Sequence, residues 1–428
     1  MVVSKIYEIN SCDDMELGVK RSTKLNFKLC YDDDKPVNAI VFIVPGCGGD
    51  VDKAYRDHLA EFTAREFNVA VINVDYHHIY NRLVTGARYY MDEFDQEILR
   101  EKCREINLQL GGDLSSLKNF DKLNGVLSAV SNYIDSNKNS RAFPKDFVLN
   151  LSLTIDPAKD EYQNFGIMQA QDLINALLFV KANAPFECAT DINDLPVVMI
   201  GSSHGGYLSH MAAKIAPWLI DGVIDNSSYA LAHWPFIGFG KEIDYMKYYS
   251  GYTSECYHNI ELYLFDKTHW TLDKASPAYF SKSRKCIREI LMPQHLKVQS
   301  GYKKQIYTSY HYAYDDFYAP ASEKQRLYDE LKNLGYDATL NIIENESQLD
   351  GKFIKTLTHG LDMSIKTLIS KELPPMLAKI TARPKQPCED KSISYVSDDL
   401  EYKFFEANDK INLEIKEQNL PQQNHDNK

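Results

Sequence analysis

The chain of 428 residues is 44% hydrophobic and has a formal net charge of -12 at pH 7, so it can bury a large core but lacks the basic stripe that nucleic-acid binding requires. Its eight cysteines are scattered without a C-x-x-C pair, which fits a reducing compartment. Residues 1–20 hold no basic segment followed by an apolar core, and no apolar run approaches the ~18 residues of a membrane span. We therefore expect no signal peptide, no membrane span and a cytoplasmic location.

The first part of the chain predicts a βαβ unit. Alternating residues at 6–10 and 24–32 indicate edge strands. Continuous apolar runs at 38–44 and 67–76 are typical of central parallel strands. Residues 50–67, between these two runs, have helical spacing. This alternation of strand and helix is the repeating unit of an α/β sheet.

The same alternation returns after long interruptions at 77–163 and 229–300. Strands are predicted at 196–203, 219–226, 304–313 and 337–345, and helices at 168–183, 205–216, 320–335 and 360–373. We therefore expect one doubly wound, mostly parallel α/β sheet whose two large insertions form a cap. The predicted domains are a core of 1–76, 164–228 and 301–374, insertions of 77–163 and 229–300, and a linker, small β appendage and disordered tail in 375–428.

Between a predicted buried strand and a predicted helix lies Gly201-Ser202-Ser203-His204-Gly205, which matches the pattern G-x-S-x-G with Ser203 at its centre. A nucleophile at the tip of such a bend adopts strained backbone angles. The strand and the helix then approach so closely that side chains two residues before and after it would collide. Glycine at both places removes the collision. The pattern therefore predicts that Ser203 is a nucleophile, and a simple packing turn is the alternative.

A serine hydroxyl needs a base and an orienting acid, which follow it in the order Ser, Asp or Glu, His in such folds. His359 stands in the loop between the last predicted strand and the last predicted helix, where the base is expected; a surface or helix-capping histidine is the alternative. The acid is predicted after the strand at 304–313, with Asp315 preferred and Asp316 as the alternative. Either aspartate could instead cap the next helix. Asp225, after an earlier strand, is a third candidate.

A glycine-rich segment, 44–49, directly follows the first predicted central strand. Glycines let a backbone N–H turn toward the negative charge that develops on a carbonyl oxygen during acyl transfer. By position, the backbone N–H groups of Cys47 and His204 are the predicted oxyanion donors. The Cys47 thiol and the His204 imidazole have no predicted part in the reaction.

Together these residues make the chain similar to the α/β-hydrolase superfamily, and its second half resembles the prolyl-oligopeptidase-like branch. The features shared with that branch are Ser276-Pro277, Leu291-Met292-Pro293 and His359-Gly360. The chain also looks like an uncharacterised bacterial family with this core. The resemblance implies an α/β-hydrolase fold and a serine-hydrolase mechanism. Two departures matter: Pro45 stands where many relatives carry histidine, and the glycine that usually precedes the acid is missing, so the choice between Asp315 and Asp316 stays open.

The sequence therefore predicts a serine hydrolase that cleaves an ester or amide bond through an acyl-enzyme intermediate. The predicted substrates are a small-molecule ester, an acylated sugar or a peptide, and the oligomeric state stays open. An acyltransferase with the same three residues and an inert binding protein are the alternatives. No cofactor is expected, and no dinucleotide cofactor in particular, because Val51 stands where a dinucleotide-binding loop needs its third glycine. No metal is expected, because His77-His78 lacks the spaced partner ligands of a metal site.

Overall fold

The computed structural model describes residues 1–47, 53–111, 114, 117, 120–251, 253–257, 259–314, 316–384 and 390–418. These residues form two compact units. The first contains the described parts of Met1–His77, Gly166–Ala232 and Ser281–Lys428, and the second contains those of His78–Phe165 and His233–Phe280. The second unit takes up most of the two predicted insertions, and its role as a cap stays a prediction.

The strands of the described residues belong to three sheets. In chain order they are β1 (Val2–Ile9), β2 (Leu25–Asp32), β3 (Ile40–Val44), β4 (Ala70–Asp75), β5 (Arg88–Tyr90), β6 (Leu149–Asp156), β7 (Val197–Ser202), β8 (Gly222–Asn226), β9 (Thr253–Tyr257), β10 (Ile260–Asp266), β11 (Ile306–Tyr312), β12 (Asp337–Ile343), β13 (Ser392–Ser397), β14 (Leu400–Ala407) and β15 (Lys410–Glu417).

The α-helices of the same residues connect or flank these strands. In chain order they are α1 (Lys53–Phe67), α2 (Glu93–Glu105), α3 (Phe120–Asn139), α4 (Ile167–Ala182), α5 (His204–Ile215), α6 (Lys241–Tyr248), α7 (Lys282–Arg288), α8 (Pro293–Gln299), α9 (Ala321–Asn333) and α10 (Ile365–Ala382). Within the described ranges, none of them combines the length and the apolar character that crossing a lipid bilayer requires.

The first unit is built on an eight-stranded sheet with the order β1-β2-β4-β3-β7-β8-β11-β12. The pairs β1–β2 and β2–β4 are antiparallel, and every later pair in this order is parallel. The fold is therefore the doubly wound, mostly parallel sheet of α/β-hydrolase type that the sequence predicts. Strand order reverses at β3, which has β4 on one side and β7 on the other. Open α/β sheets bind ligands beyond the carboxyl ends of the strands at such a switch point.

The central strands β3 and β7 form because both of their faces are buried. Val41 and Ile43 of β3 pack in one apolar cluster with Leu59 of α1 and Leu368 of α10. Their neighbours along the strand point to the opposite face. Helices α4 and α5 contact β4 and β7 without joining that cluster, so they cover the second face. The sheet is thus sandwiched between two helical layers, as its continuous apolar strands predict.

The second unit has a sheet of its own, with the order β5-β6-β10-β9. β6 and β10 are parallel, and the two outer strands pair antiparallel. Leu99 of α2, Leu127 of α3 and Leu151 of β6 belong to its separate apolar core. In this unit the Lys241 ammonium lies 3.0 Å from the buried Asp95 carboxylate, so each charge has a partner where water is excluded.

The C-terminal strands β13, β14 and β15 form a small antiparallel sheet. These strands lie in the part of the chain, 375–428, for which the sequence predicts a small β appendage. The sheet packs within the first unit: Tyr395 Oη donates to the Lys214 carbonyl at 2.6 Å, and the Ile411 N–H donates to Asn175 Oδ1 at 2.8 Å. These bonds attach β13 to the end of α5 and β15 to α4.

The predicted start of the linker, at 375, is wrong, because residues 375–382 belong to helix α10. The helix continues to Ala382 with Pro374 and Pro375 inside it, although proline removes a backbone donor. Buried Leu373 and Met376 pack in the core cluster of the first unit, so tertiary packing overrides the local signal. The remaining linker and tail lie partly outside the described residues, at 385–389 and 419–428.

Candidate active site

The bend between β7 and α5 holds Ser203 in a strained backbone conformation. Its φ of 51° and ψ of -121° lie where residues with a side chain are rarely found. The Ser203 N–H donates to the Asn226 carbonyl at 2.8 Å, and the Ser203 carbonyl accepts from the Tyr207 N–H at 3.1 Å. Strand β8 and helix α5 therefore fix a conformation that presents Ser203 Oγ at the carboxyl end of β7.

Glycines flank Ser203 because the surrounding backbones approach too closely for any side chain. A Cβ built on Gly201 would lie 2.3 Å from the carbonyl carbon of Gly205, and one built on Gly205 would lie 2.1 Å from the carbonyl oxygen of Val44. Both distances are far shorter than van der Waals contact. β7, α5 and the end of β3 are thus in direct backbone contact at the switch point, which is the physical reason for the G-x-S-x-G pattern.

His359 lies in the loop between β12 and α10, and its imidazole reaches Ser203. His359 Nε2 is 2.8 Å from Ser203 Oγ, and His359 Nδ1 is 2.8 Å from Asp316 Oδ2. Because an ionised carboxylate only accepts hydrogen bonds, Nδ1 carries the proton and Nε2 accepts from the Ser203 hydroxyl. A continuous hydrogen-bond path therefore joins the hydroxyl, the imidazole and the carboxylate.

Asp316 lies in the loop between β11 and α9, and its side chain is buried. Its Oδ1 accepts from the backbone N–H groups of Tyr318 and Ala319, each at 3.1 Å, so the backbone fixes the carboxylate that bonds His359. The Tyr318 ring lies edge-on to the His359 imidazole, with ring centres 5.4 Å apart. Of the two aspartates that the sequence leaves open, Asp316 lies beside His359, and Asp315 lies outside the described residues.

Asp225, the third candidate, lies in β8 and is fully buried among other partners. Its carboxylate accepts from His210 Nε2 at 2.8 Å, Ser309 Oγ at 2.8 Å and Lys324 Nζ at 3.0 Å. Burial alone would raise the pKa of this carboxyl, but the Lys324 ammonium and the hydrogen bonds from His210 and Ser309 hold the pKa below its usual value. The ion-pair partner of Asp225 is thus the buried Lys324 rather than His359.

Replacing Asp225 with alanine should lower the free energy of unfolding by about 3–5 kcal/mol, because the Lys324 ammonium would stay buried without its partner. Urea unfolding measures this loss. Asp337→Ala is the control, since Asp337 pairs at 3.1 Å with Lys379, whose side chain is 52% exposed. An exposed pair contributes at most about 1 kcal/mol. If Asp225→Ala and Asp337→Ala lowered the free energy of unfolding equally, the buried ion pair would not be the cause of the loss in Asp225→Ala.

The segment after β3 lies against Ser203. A Cβ built on Gly46 would lie 3.9 Å from Ser203 Cβ. The hydroxyl of the buried Tyr76 lies 2.9 Å from the carbonyl oxygens of both Pro45 and Gly46. Because a peptide unit is planar and trans, a fixed Gly46 carbonyl also fixes the direction of the Cys47 N–H. Tyr76 therefore orients the backbone of this segment beside the serine.

The two predicted oxyanion donors come from different elements. His204 is the first residue of α5, so its N–H lies at the positive end of the helix dipole. Cys47 is half-buried in the segment after β3, and the residues that follow it, 48–52, lie outside the described residues. The role of both N–H groups as oxyanion donors stays a prediction.

The His204 imidazole is buried and held by two side chains. Its Nε2 lies 3.0 Å from Gln169 Oε1, and its Nδ1 contacts the Tyr229 hydroxyl. The amide oxygen only accepts, so Nε2 carries the proton and Nδ1 accepts from Tyr229. Burial lowers the pKa of His204 to about 3. The ring is therefore neutral near pH 7, and it anchors the start of α5.

Sequence reasoning misses three residues that the structure places around the site: Tyr76, Asn226 and Ser227. Tyr76 and Ser227 directly follow the parallel strands β4 and β8, and Asn226 ends β8. Position at the carboxyl end of a central strand is thus the signal that could have found them. No spacing pattern distinguishes them from other strand-end residues.

One group of acidic side chains in the described residues approaches closely enough to share a cation: Asp32, Asp33 and Asp34. The amino group of Met1 forms ion pairs with all three carboxylates. A cation thus already lies among these carboxylates and offsets part of their charge, so the group gives no support to a metal centre. The prediction that the chain needs no cofactor stays a prediction.

A family model described as "Protein of unknown function (DUF2920)" matches residues 5–415. The match therefore spans both units and reaches into the C-terminal sheet. No curated protein matches the chain.

Solved structures resemble the chain at low sequence identity. Acylaminoacyl peptidase of Pyrococcus horikoshii is 10% identical with a TM-score of 0.44, and the alignment covers 91% of this chain and 43% of the peptidase. A putative dipeptidyl aminopeptidase IV from Bacteroides ovatus is 10% identical with a TM-score of 0.43, covering 89% and 36%. The esterase Est22 is 13% identical with a TM-score of 0.41, covering 89% and 82%. This chain spans less than half of the length of either peptidase, and nothing about its activity follows from these similarities.

Proposed function

Because the chain belongs to the family described as protein of unknown function (DUF2920), which assigns no activity, we propose an activity from the site itself. The chain is a serine hydrolase that cleaves an ester or amide bond through Ser203, His359 and Asp316. The observation that carries this proposal is the path of two 2.8 Å contacts from Ser203 Oγ through the imidazole to the Asp316 carboxylate. The strained backbone of Ser203 supports it, because such strain persists mainly where a function requires it.

In the proposed acylation step, His359 Nε2 takes the hydroxyl proton as Ser203 Oγ attacks the carbonyl carbon of the substrate. The carbonyl oxygen becomes an oxyanion, which the backbone N–H groups of Cys47 and His204 stabilise. The imidazolium then gives its proton to the leaving alcohol or amine, and the bond to the leaving group breaks. Asp316 keeps its negative charge and stabilises the imidazolium. An ester between Ser203 Oγ and the acyl group remains.

In the proposed deacylation step, a water molecule takes the place of the leaving group. His359 Nε2 removes one of its protons as its oxygen attacks the acyl carbon, and the bond to Ser203 Oγ breaks. The imidazolium returns the proton to Ser203, and a carboxylic acid leaves. An alcohol in place of water would give acyl transfer, so the acyltransferase alternative differs only in the acceptor.

A substrate panel tests this proposal and separates the alternatives. The chain would be incubated with a p-nitrophenyl ester, an aminoacyl-anilide and an acetylated sugar, which represent the proposed classes of small ester, peptide and acylated sugar. We expect hydrolysis of at least one of them in the cytoplasmic pH range. Adding an alcohol distinguishes transfer from hydrolysis, because a new ester appears only in transfer. No turnover of any member, together with no labelling by a fluorophosphonate, would favour an inert binding protein.

Tyr76→Phe is expected to lower kcat for the ester by about 10-fold or more, because the segment that carries the Cys47 N–H loses the bonds that orient it. KM should change by less than about 2-fold, since an oxyanion donor acts mainly in the transition state. Initial-rate kinetics measure both constants.

The matched control for Tyr76→Phe is Tyr207→Phe. The Tyr207 hydroxyl is also buried and donates to a backbone carbonyl at 2.7 Å, that of Arg288, which belongs to α7 rather than to the segment after β3. Both variants lose one buried hydroxyl, so their stabilities should fall by similar amounts. An equal kcat in the two variants would contradict the orienting role of Tyr76.

A further inference from the structure

Two side chains at the end of β8 bond the peptide groups on both sides of Gly360, the residue that follows His359. Asn226 Nδ2 donates to the Gly360 carbonyl at 2.8 Å, and the Gly360 N–H donates to Ser227 Oγ at 3.1 Å. The Ser227 hydroxyl in turn donates to Asn226 Oδ1 at 3.0 Å. The N–H and the carbonyl of Gly360 are thus both hydrogen-bonded to adjacent residues at the end of β8. We call these two residues, Asn226 and Ser227, the β8 clamp.

The same strand end also holds the nucleophile. The Asn226 carbonyl accepts from the Ser203 N–H at 2.8 Å, and Asn226 Nδ2 lies 3.3 Å from Ser202 Oγ. Asn226 therefore bonds the elbow through its backbone and the histidine loop through its amide.

The loop after His359 needs such support because its backbone is strained. Gly360, Leu361 and Asp362 have φ values of 80°, 56° and 40°, and only the first of them is a glycine. Consecutive residues in the left-handed region persist only where surrounding bonds hold them. The clamp itself is buried, with Asn226 1% and Ser227 0% exposed, so water does not readily replace its hydrogen bonds.

We infer that Asn226 and Ser227 are positioning residues, which keep His359 Nε2 within hydrogen-bond distance of Ser203 Oγ. This inference rests on the proposed hydrolase function, because it assigns the clamp to the transfer of a proton between these two atoms. Neither side chain touches the reacting atoms in the proposed mechanism. The clamp acts by restricting where the imidazole can lie, and a displacement of about 1 Å at such a site lowers the rate by about 100-fold.

Asn226→Asp tests the clamp with almost no change of shape. The carboxylate keeps an acceptor for the Ser227 hydroxyl but sets an oxygen against the Gly360 carbonyl, so the loop loses its amide donor. Asn341→Asp is the matched control, because Asn341 Nδ2 also donates to a backbone carbonyl, that of Ser309, at 3.1 Å. Ser227→Ala is the second clamp variant, and it decides the test if Asn226→Asp does not fold.

The two readouts are the kinetics of p-nitrophenyl ester hydrolysis and the far-downfield proton resonance of His359 Nδ1–H bonded to Asp316. We expect the clamp variants to lower kcat by about 10- to 100-fold with KM within about 2-fold, and to shift or broaden the resonance. Asn341→Asp should leave both readouts as in the wild type. A merely structural role would lower the unfolding midpoint without moving the resonance of the folded protein.

Folded clamp variants that keep the wild-type kcat and the wild-type resonance would overturn the inference. Failure of the proposed function has a different signature. A wild-type chain that turns over no ester would end the hydrolase proposal, whereas the resonance would still show whether the clamp positions His359, because it requires no turnover.

Discussion

Replacing Ser203 with alanine is expected to lower kcat for a p-nitrophenyl ester by about 10⁵- to 10⁶-fold, as the loss of a catalytic serine does in serine hydrolases. Alanine keeps the Cβ of Ser203 and the backbone bond to the Asn226 carbonyl, so the strained bend should survive. Only the nucleophilic oxygen is lost. Initial rates of the purified variant, with its circular dichroism spectrum compared with that of the wild type, measure the effect.

Ser202→Ala is the control for this loss. Ser202 is adjacent in the chain, but its Oγ lies 3.3 Å from Asn226 Nδ2, whereas the Ser203 Oγ bonds His359. Its replacement should change kcat by no more than a few-fold, about the effect of one weak hydrogen bond. A Ser203→Ala variant as active as Ser202→Ala would remove Ser203 from the proposed mechanism.

Asp316→Asn is expected to lower kcat by about 10⁴-fold, the usual cost of presenting the base with an amide instead of a carboxylate. The amide oxygen can still accept from the backbone N–H groups of Tyr318 and Ala319, so the loop should keep its conformation. The amide NH₂, however, donates to His359 Nδ1, which places the ring proton on Nε2. That nitrogen can then no longer accept the proton of Ser203. Kinetics at several pH values measure the loss.

Asp315→Asn decides between the two aspartates that the sequence leaves open. If Asp316 orients His359, the Asp315 variant should retain activity within a few-fold, because the proposed mechanism gives the Asp315 carboxylate no part in the reaction. The reverse pattern, with a large loss for Asp315→Asn and a small one for Asp316→Asn, would contradict the proposed role of Asp316.

The elbow could be predicted from the sequence because its cause is local. Gly201 and Gly205 are required by backbone atoms within a few residues of Ser203 and by the end of β3, and the strand and helix around them have clear periodicities. The position of His359 follows from the order of elements alone. The glycine spacing and the order of strands and helices are both visible in one sequence, so the elbow and the place of His359 could be predicted.

The sequence could not show whether Asp315 or Asp316 bonds His359, because this depends on the direction of one side chain in a loop. Asp315 and Asp316 are neighbours, and no helical or strand periodicity sets which of them turns toward His359. The β8 clamp could not be predicted from the sequence either. Asn226 and Ser227 match no spacing motif, and their role follows only from the approach of Gly360, distant in the chain.

The helices at 282–299 show a third limit. The sequence predicts residues 229–300 as one insertion, but α7 and α8 belong to the first unit. Arg288 of α7 bonds Glu16 at 2.9 Å, and Lys214 Nζ of α5 donates to the Ile287 carbonyl at 2.7 Å. Such contacts join residues far apart in the chain, so composition and periodicity do not show them.

Whether Ser203 is the nucleophile is tested by peptide mapping of the folded wild-type chain after reaction with a fluorophosphonate, which reacts with a serine activated by a neighbouring base. We expect one adduct, on Ser203, and its loss in Asp316→Asn. An adduct on Ser202, or none at all in a folded chain with the Ser203 to His359 contact intact, would contradict the claim that this serine is the nucleophile.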